Sequence, residues 1–353
     1  MEFNMPKKSY FAAANGFGGF RSYFETVFNP KEFLRLFVIK GGPGTGKSSL
    51  MKKIAAHFES KGYEIEAIFC SSDKNSLDGI IINSKKGKVG ILDGTAPHQT
   101  DAKIPGAIDE IINLGELWNH KLLIDNRETI IKLNDKKKSH YKSAYEYLRI
   151  AGEFFYELNR YISEAYQKSD SQLINDLIFD IPHLNASRNT ATRLFSAFGK
   201  DGYTRLPITE TLAKKKLSVT GTYGSEYIFM NHLLNAIESK GVPYIKFTSP
   251  FSDGLTEGVL FPETETFIVT GSDFNEKTDT SIFLEESVLK NNKEKLNYYS
   301  KEFDEILTRA KDEFSAASES HFELEKIYTA AMNFTKIDAL RENLIIYIAD
   351  IIS

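Results

Sequence analysis

One octapeptide constrains this chain more than any other stretch: Gly41-x-x-x-x-Gly46-Lys47-Ser48, set between an apolar run and a helical pattern. Residues 36–39, LFVI, read as a short buried strand bounded by charge before and glycine after, and helical periodicity follows to about Ser60. Strand, glycine loop, Gly-Lys-Ser and helix in that order predict a phosphate-binding P-loop. Glycines let successive backbone N–H groups turn inward around phosphates, and the helix start adds the positive end of its dipole. Gly41, Gly42, Pro43, Gly44, Thr45, Gly46, Lys47, Ser48 and Ser49 are the expected nucleotide ligands. Lys47 would put a point charge on the β- and γ-phosphates, and the Ser48 hydroxyl would ligate Mg²⁺. ATP and Mg²⁺ are the expected cofactors.

A second element of such a site is an apolar strand ending in a carboxylate. Residues 88–92 form one, closed by Asp93, 46 residues after Lys47. Asp93 is expected to hold the Mg²⁺ shell as a Walker B aspartate; the blander reading is an Asp that opens the turn at Gly94-Thr95. Gly94 stands where many ATPases carry a water-polarising Glu, so the group that orients an attacking water must come from elsewhere, or hydrolysis is slow. Asp73, Asp78 and His98 are the candidates, each expected just past the C-terminal end of a strand, where doubly wound sheets build their sites. A solvated or N-capping role competes for each of them. Upstream of the first strand, Asn15 and Arg21 are candidates to touch the base, although packing of the aromatic stretch 9–28 at the domain edge is the simpler account.

Composition limits the partners. With 353 residues, two domains are expected. A net charge of −4 gives no general support for nucleic-acid binding. One cysteine, Cys70, excludes an intrachain disulfide and fits a reducing cytoplasm. The N-terminus lacks a signal-peptide pattern and no run of 18 apolar residues occurs, so a cytoplasmic protein without a membrane span is expected. Pro105 is expected to start a helix, PGAIDEIINLGELW, and residues 119–167 read as predominantly helical, continuous or folded back as a hairpin. Tyr141, Tyr145, Leu148, Ala151, Phe155, Leu158, Ile162 and Ala165 form a sustained apolar seam. Lys136, Lys137 and Lys138 read as its solvated face.

The second half resembles the first. Glu59-Ser60-Lys61-Gly62 recurs as Glu238-Ser239-Lys240-Gly241, an offset of 179. That offset aligns Met51 with Met230, Gly42 with Gly221 and Asp78 with Glu257, and a second seam follows at Phe303, Ile306, Ala310, Phe314 and Ala317. At the loop, however, Lys47 becomes Glu226 and Ser48 becomes Tyr227, and the strand equivalent to the Walker B strand ends in Thr270. Triphosphate binding is expected in the first half alone. The boundary is expected near residue 190, after the Asp180-Ile181-Pro182 break, giving 1–190 as the active domain with a helical segment at 105–180. Residues 191–353 then form the degenerate copy, helical over 283–353.

The order GGPGTGKS, CSSD-x-x-SLDG, DGTAPH and PGAIDEIINLG resembles an uncharacterised bacterial family of duplicated P-loop ATPases, over essentially the whole chain. The P-loop is also similar to that of AAA-type ATPases, without their arginine-finger signature. The resemblance implies a bacterial cytoplasmic ATP-binding protein and supplies no substrate; in that family the second half also carries a recognisable P-loop, from which this chain departs. The expectation is therefore an α/β chain of tandem P-loop NTPase-type domains with parallel sheets, each carrying a long helical insertion or hairpin. Its expected activity is Mg²⁺-dependent ATP hydrolysis. A small-molecule kinase using Asp73 or Asp78 near the acceptor is the rival enzyme, and a nucleotide-gated protein that binds a partner through its helical seams is the third reading.

Overall fold

The computed structural model describes residues 3–97, 99–179, 181, 191–207, 212–271 and 274–353. The first half runs β1 (Lys8–Phe11), a hairpin of β2 (Ala13–Gly16) and β3 (Gly19–Ser22), α1 (Phe24–Val27), β4 (Phe33–Lys40), α2 (Lys47–Ser60), β5 (Glu64–Phe69), β6 (Leu77–Asn83), β7 (Lys88–Asp93) and β8 (Asp109–Asn113). The helices α3 (His120–Asp125), α4 (Arg127–Ala165) and α5 (Ser171–Leu177) complete it. The second half repeats the plan with β9 (Ala191–Arg193), a hairpin of β10 (Ser196–Gly199) and β11 (Gly202–Arg205), β12 (Lys215–Thr220) and α6 (Ser225–Lys240). Then come β13 (Ile245–Thr248), β14 (Thr256–Phe261), β15 (Thr266–Thr270), β16 (Glu276–Asp279), α7 (Glu286–Ala331) and α8 (Phe334–Ile352). One sheet has the order β1-β5-β6-β7-β4-β8 and the other β9-β13-β14-β15-β12-β16, the same order strand for strand.

Two expectations need correction. The sheets are mixed rather than parallel: β6 lies antiparallel to β5 and β7, and β14 antiparallel to β13 and β15. The reason is connection length, since 70–76 and 84–87 are too short for the dozen or more residues that a parallel crossover needs. β4, next to the edge strand, keeps parallel neighbours, β7 on one side and β8 on the other. The second correction concerns 105–118, which forms no α-helix and is helical only in a 3-10 turn at Leu114–Leu117. Residues 109–113 extend the sheet as β8, with Asp109 and Ile112 buried, and α-helix begins at His120. A Pro followed by Gly106 with φ +78° makes a turn here, not a helix start. The proposed boundary near 190 falls outside the described residues.

Each long helix is continuous, and α4 and α7 pack antiparallel, as the bridges Trp118–Met332 and Tyr166–Leu284 at their opposite ends require. Leu148, Ala151, Phe155 and Ile162 of α4 and Ile306, Ala310, Phe314 and Ala317 of α7 are buried. Each seam therefore covers the other, and those residues are not available to an outside partner. The two sheets meet at β1 and β9, where Phe11 N–H donates to Leu194 O at 2.9 Å. One apolar cluster runs through both halves, joining Phe11, Phe37 and Ile68 to Phe195, Phe247 and Phe267.

The hairpins cross between halves. Phe17, at the tip of the first, donates its N–H to Phe251 O at 3.0 Å and stacks on the Phe251 ring at 5.1 Å. Arg21 donates to the carbonyls of Ser249 and Pro250 and pairs with Asp253 at 2.7 Å. Asn15 donates to Phe198 O and accepts from Tyr145 Oη, each at 2.8 Å. Asn15 and Arg21 thus join the halves. Reciprocally, the β10–β11 hairpin lays Gly199 against the Ser71-Ser72 backbone and carries Lys200 to the first half. Among the described residues no helix is long and apolar enough to cross a membrane.

Candidate functional site

The site grows from the end of β4. Its last residue, Lys40, is anchored by donating to the carbonyls of Gly94 and Thr100. The chain then turns through 41–46 with Gly44 at φ +66° and Gly46 at φ +84°, a left-handed region that favours glycine. Thr45 is buried and its Oγ1 donates to Gly42 O at 2.8 Å, closing the loop on itself. Gly46 caps α2, so Lys47 and Ser48 are its first two residues. The Lys47 ammonium donates to Gly41 O at 3.0 Å and Gly42 O at 2.7 Å and lies 3.5 Å from Asp93 Oδ2. The Lys47 and Asp93 side chains are each only 12% exposed, so an anion entering here would meet a desolvated charge.

Parallel pairing of β4 with β7 sets Asp93 opposite Ile39, one strand from the loop. Asp93 Oδ1 accepts from the Thr95 N–H at 2.9 Å and from Thr95 Oγ1 at 2.6 Å, leaving Oδ2 toward Lys47. The antiparallel β6 begins at the same sheet edge where β7 ends, because Gly79 pairs with Leu92. Asp78, the residue before Gly79, is therefore brought beside Asp93. Burial above all, then the charge of Asp93, pushes its carboxyl up to about 8. Ser48 Oγ accepts from the Leu77 N–H at 2.9 Å, tying α2 to the start of β6.

Asp73 lies at the rim. Its Oδ1 accepts from the Asn75 N–H, and its Oδ2 accepts from Lys200 of the other half at 2.9 Å. Burial raises its carboxyl, but the Lys200 bond, the Asn75 N–H and the charge of Lys52 outweigh that and hold it below its ordinary value. His98 lies outside the described residues. Lys47, Ser48, Asp93 and Asp78 thus converge, and Asp73 stands apart in an interhalf ion pair.

Sequence reasoning missed the wall of this site. The end of α7 lies on the loop: Thr329 Oγ1 donates to Gly44 O at 3.0 Å, and a Cβ at Gly44 would fall 2.5 Å from Glu325 O. The Tyr328 ring sits on Gly42 in the same way, at 2.8 Å from a Cβ placed there. No local signal could tie residue 328 to residue 42. Lys137 is different. Lys136 and Lys138 are exposed as expected, but Lys137 is half-buried, and burial followed by the charges of Lys138 and Lys47 lowers its pKa. It stands four residues before Tyr141 on the seam face, so the helical period carried that signal.

The corresponding place in the second half is built differently. Thr270 faces Val219 as Asp93 faces Ile39, and Glu257 precedes Gly258 as Asp78 precedes Gly79. Met230, Leu233 and Ile237 are buried on α6 as Met51, Ile54 and Phe58 are on α2, keeping the offset of 179. Glu226 therefore holds the Lys47 position. The loop itself, 221–224, is shorter than 41–46. Arg205 fills the space beside Thr270, donating to its Oγ1 at 3.1 Å and to Gly271 O at 3.2 Å. Glu226 Oε2 is buried without a hydrogen-bond partner, and burial pushes its carboxyl up.

A family model described as Nephrocystin 3, N-terminal, matches residues 21–81, less than a fifth of the chain. The stretch spans β4, the glycine loop, α2, β5 and the start of β6. No curated protein and no solved structure matches the chain.

Proposed function

We propose that the chain is a Mg²⁺-dependent ATP-binding protein of the P-loop type that hydrolyses ATP slowly at one site in its first half. The observation that carries this reading is the convergence of Lys47 and Asp93, 3.5 Å apart, on a glycine loop whose Gly44 and Gly46 adopt left-handed backbone. Lys47 binds the outer phosphates by leaving the Gly41 and Gly42 carbonyls for phosphate oxygens, while loop N–H groups hold the inner ones.

The donor set fits Mg²⁺. Ser48 offers a hydroxyl and Asp93 a carboxylate, and among the described residues no cluster of three His, Cys, Asp or Glu could cage a metal. That pattern suits an ion shared with phosphates and water rather than one held by protein alone. When bound, Mg²⁺ neutralises triphosphate charge. Burial and the charge of Asp93 raise the Asp78 carboxyl to about 8, which favours its neutral form near pH 7. Gly94 stands beside Asp93 where a water-polarising Glu would sit, in keeping with slow turnover. The α7 wall favours a switch role in addition, because Tyr328 and Thr329 of the second half lie against the loop that would hold the nucleotide.

The test is Lys47→Ala. Mg·ATP affinity or turnover is expected to fall at least about tenfold, roughly 1.4 kcal/mol, with the far-UV spectrum and melting transition retained. Undiminished binding and hydrolysis in the folded variant would overturn the assignment.

A further inference from the structure

Beside the glycine loop, α8 of the second half packs against α2. A crevice opens between them, floored by Gly46 and Ser49 and lined by Lys53, Phe334, Asp338 and Arg341. Phe334 is the first residue of α8, behind the Asn333 cap, and remains 42% exposed although its neighbour Ile337 is buried. Its ring edge lies 3.5 Å from a Cβ position at Gly46. Asp338 accepts from Arg341 and lies 3.4 Å from Lys53.

The direction of the phosphate chain assigns this crevice a ligand. In a P-loop the lysine reaches the β- and γ-phosphates, and the loop and helix-start N–H groups hold the α- and β-phosphates. Here Lys47 and Asp93 mark the γ end, so the α-phosphate lies over the first turn of α2 and whatever is esterified to it emerges at Ser49. An exposed aromatic face beside a carboxylate and a guanidinium is suited to a flat, partly polar ring system. We propose that the crevice between α2 and α8 holds the nucleoside of the bound triphosphate, its base against Phe334 and its polar groups on Asp338 and Arg341. The inference rests on the phosphate-site reading above and adds a subsite built by the other half.

The second half provides a contrast. His232 on α6 occupies the position of Lys53 at the offset of 179, and it is bound to Asp170 at 2.7 Å with Tyr166 packed edge-on at 5.5 Å. Tyr166 also donates to Asp170. That crevice is filled by the chain's own side chains, whereas the one at Phe334 is open.

The experiment titrates the full chain, in Mg²⁺, with a slowly hydrolysed ATP analogue and separately with inorganic triphosphate. The wild type is expected to bind the analogue more tightly. Phe334→Ala should weaken the analogue roughly tenfold, the loss of about one stacking contact, while inorganic triphosphate changes by less than about twofold. Phe334→Trp should restore the analogue and report it by fluorescence quenching. Equal affinity of the wild type for both probes, or an equal effect of Phe334→Ala on both, would overturn the subsite while leaving the phosphate site standing. A wild type that binds neither probe removes the phosphate site itself.

Discussion

Lys47 donates to the Gly41 and Gly42 carbonyls, and Asp93, held by Thr95, lies 3.5 Å away. The roles of these two residues separate in kinetics. Asp93→Asn keeps the shape and the Thr95 contacts but removes the charge, and is expected to slow Mg²⁺-dependent turnover about tenfold or more with ATP binding retained. Full turnover in that variant would place the metal-shell carboxylate elsewhere. Glu257 tests the buried acids of the second half. It is fully buried, accepts from Ser196 Oγ, and burial, only partly offset by Arg205, raises its pKa above the ordinary 4.5. The folded chain therefore holds a proton there that the unfolded chain releases. The stability this gives is present below about the ordinary carboxylate pKa and is lost as pH rises through the raised folded value. Glu257→Gln, neutral throughout, should be more stable than wild type at alkaline pH and nearer to it at acid pH. Melting temperatures across a pH series measure this, and a variant less stable at alkaline pH would show that the Arg205 attraction outweighs desolvation.

At the scale of elements, the glycine loop and α7 form one joint. Gly44 combines a φ of +66° with the Glu325 carbonyl 2.5 Å from a Cβ, whereas Gly106 has a φ of +78° and open space. Both Gly→Ala changes carry left-handed strain of about 1–2 kcal/mol, but Gly44→Ala must also push back α7. Chemical denaturation should give the Gly44 variant the larger loss, and equal losses would deny the contact. The elements that were legible in the sequence are those with their own period: β4, α2, β7, and the two long helices. The hidden ones were set by partners. Residues 109–113 complete a sheet edge as β8 in a stretch that reads as helix, and β6 turns antiparallel because its connections are short. The site divides the same way. Lys47, Ser48, Asp78 and Asp93 announce themselves by local pattern, while Lys200, Tyr328 and Thr329 arrive from 120 or more positions away, through a fold that only the repeat hints at.

At the scale of the molecule, the two halves are equivalent in strand order and unequal in chemistry, and stoichiometry measures that difference. A complete duplicate would bind two triphosphates per chain; one is expected. The first loop offers a cation, a hydroxyl and a carboxylate in Lys47, Ser48 and Asp93. The second offers Glu226, Tyr227 and Thr270, in a shorter loop with Arg205 already spent on Thr270 and Gly271. Exchanging a favourable charge contact for a repulsive one near 4 Å amounts to about 4 kcal/mol each way at an effective dielectric of about 20. Protonation of Glu226, which its burial favours, removes the repulsion but restores no cation. Against a total of about 8 kcal/mol for micromolar binding, either loss is decisive. The halves are nevertheless joined at the first loop, where Tyr328 and Thr329 of α7 lie on Gly42 and Gly44 and α8 lines the crevice beside Gly46. Calorimetric titration with a slowly hydrolysed ATP analogue and Mg²⁺ should therefore saturate near one per chain, and Lys47→Ala should abolish tight binding altogether. Two sites of similar affinity, or a tight site surviving that substitution, would mean that Glu226 and Arg205 rearrange to admit a triphosphate in the second half.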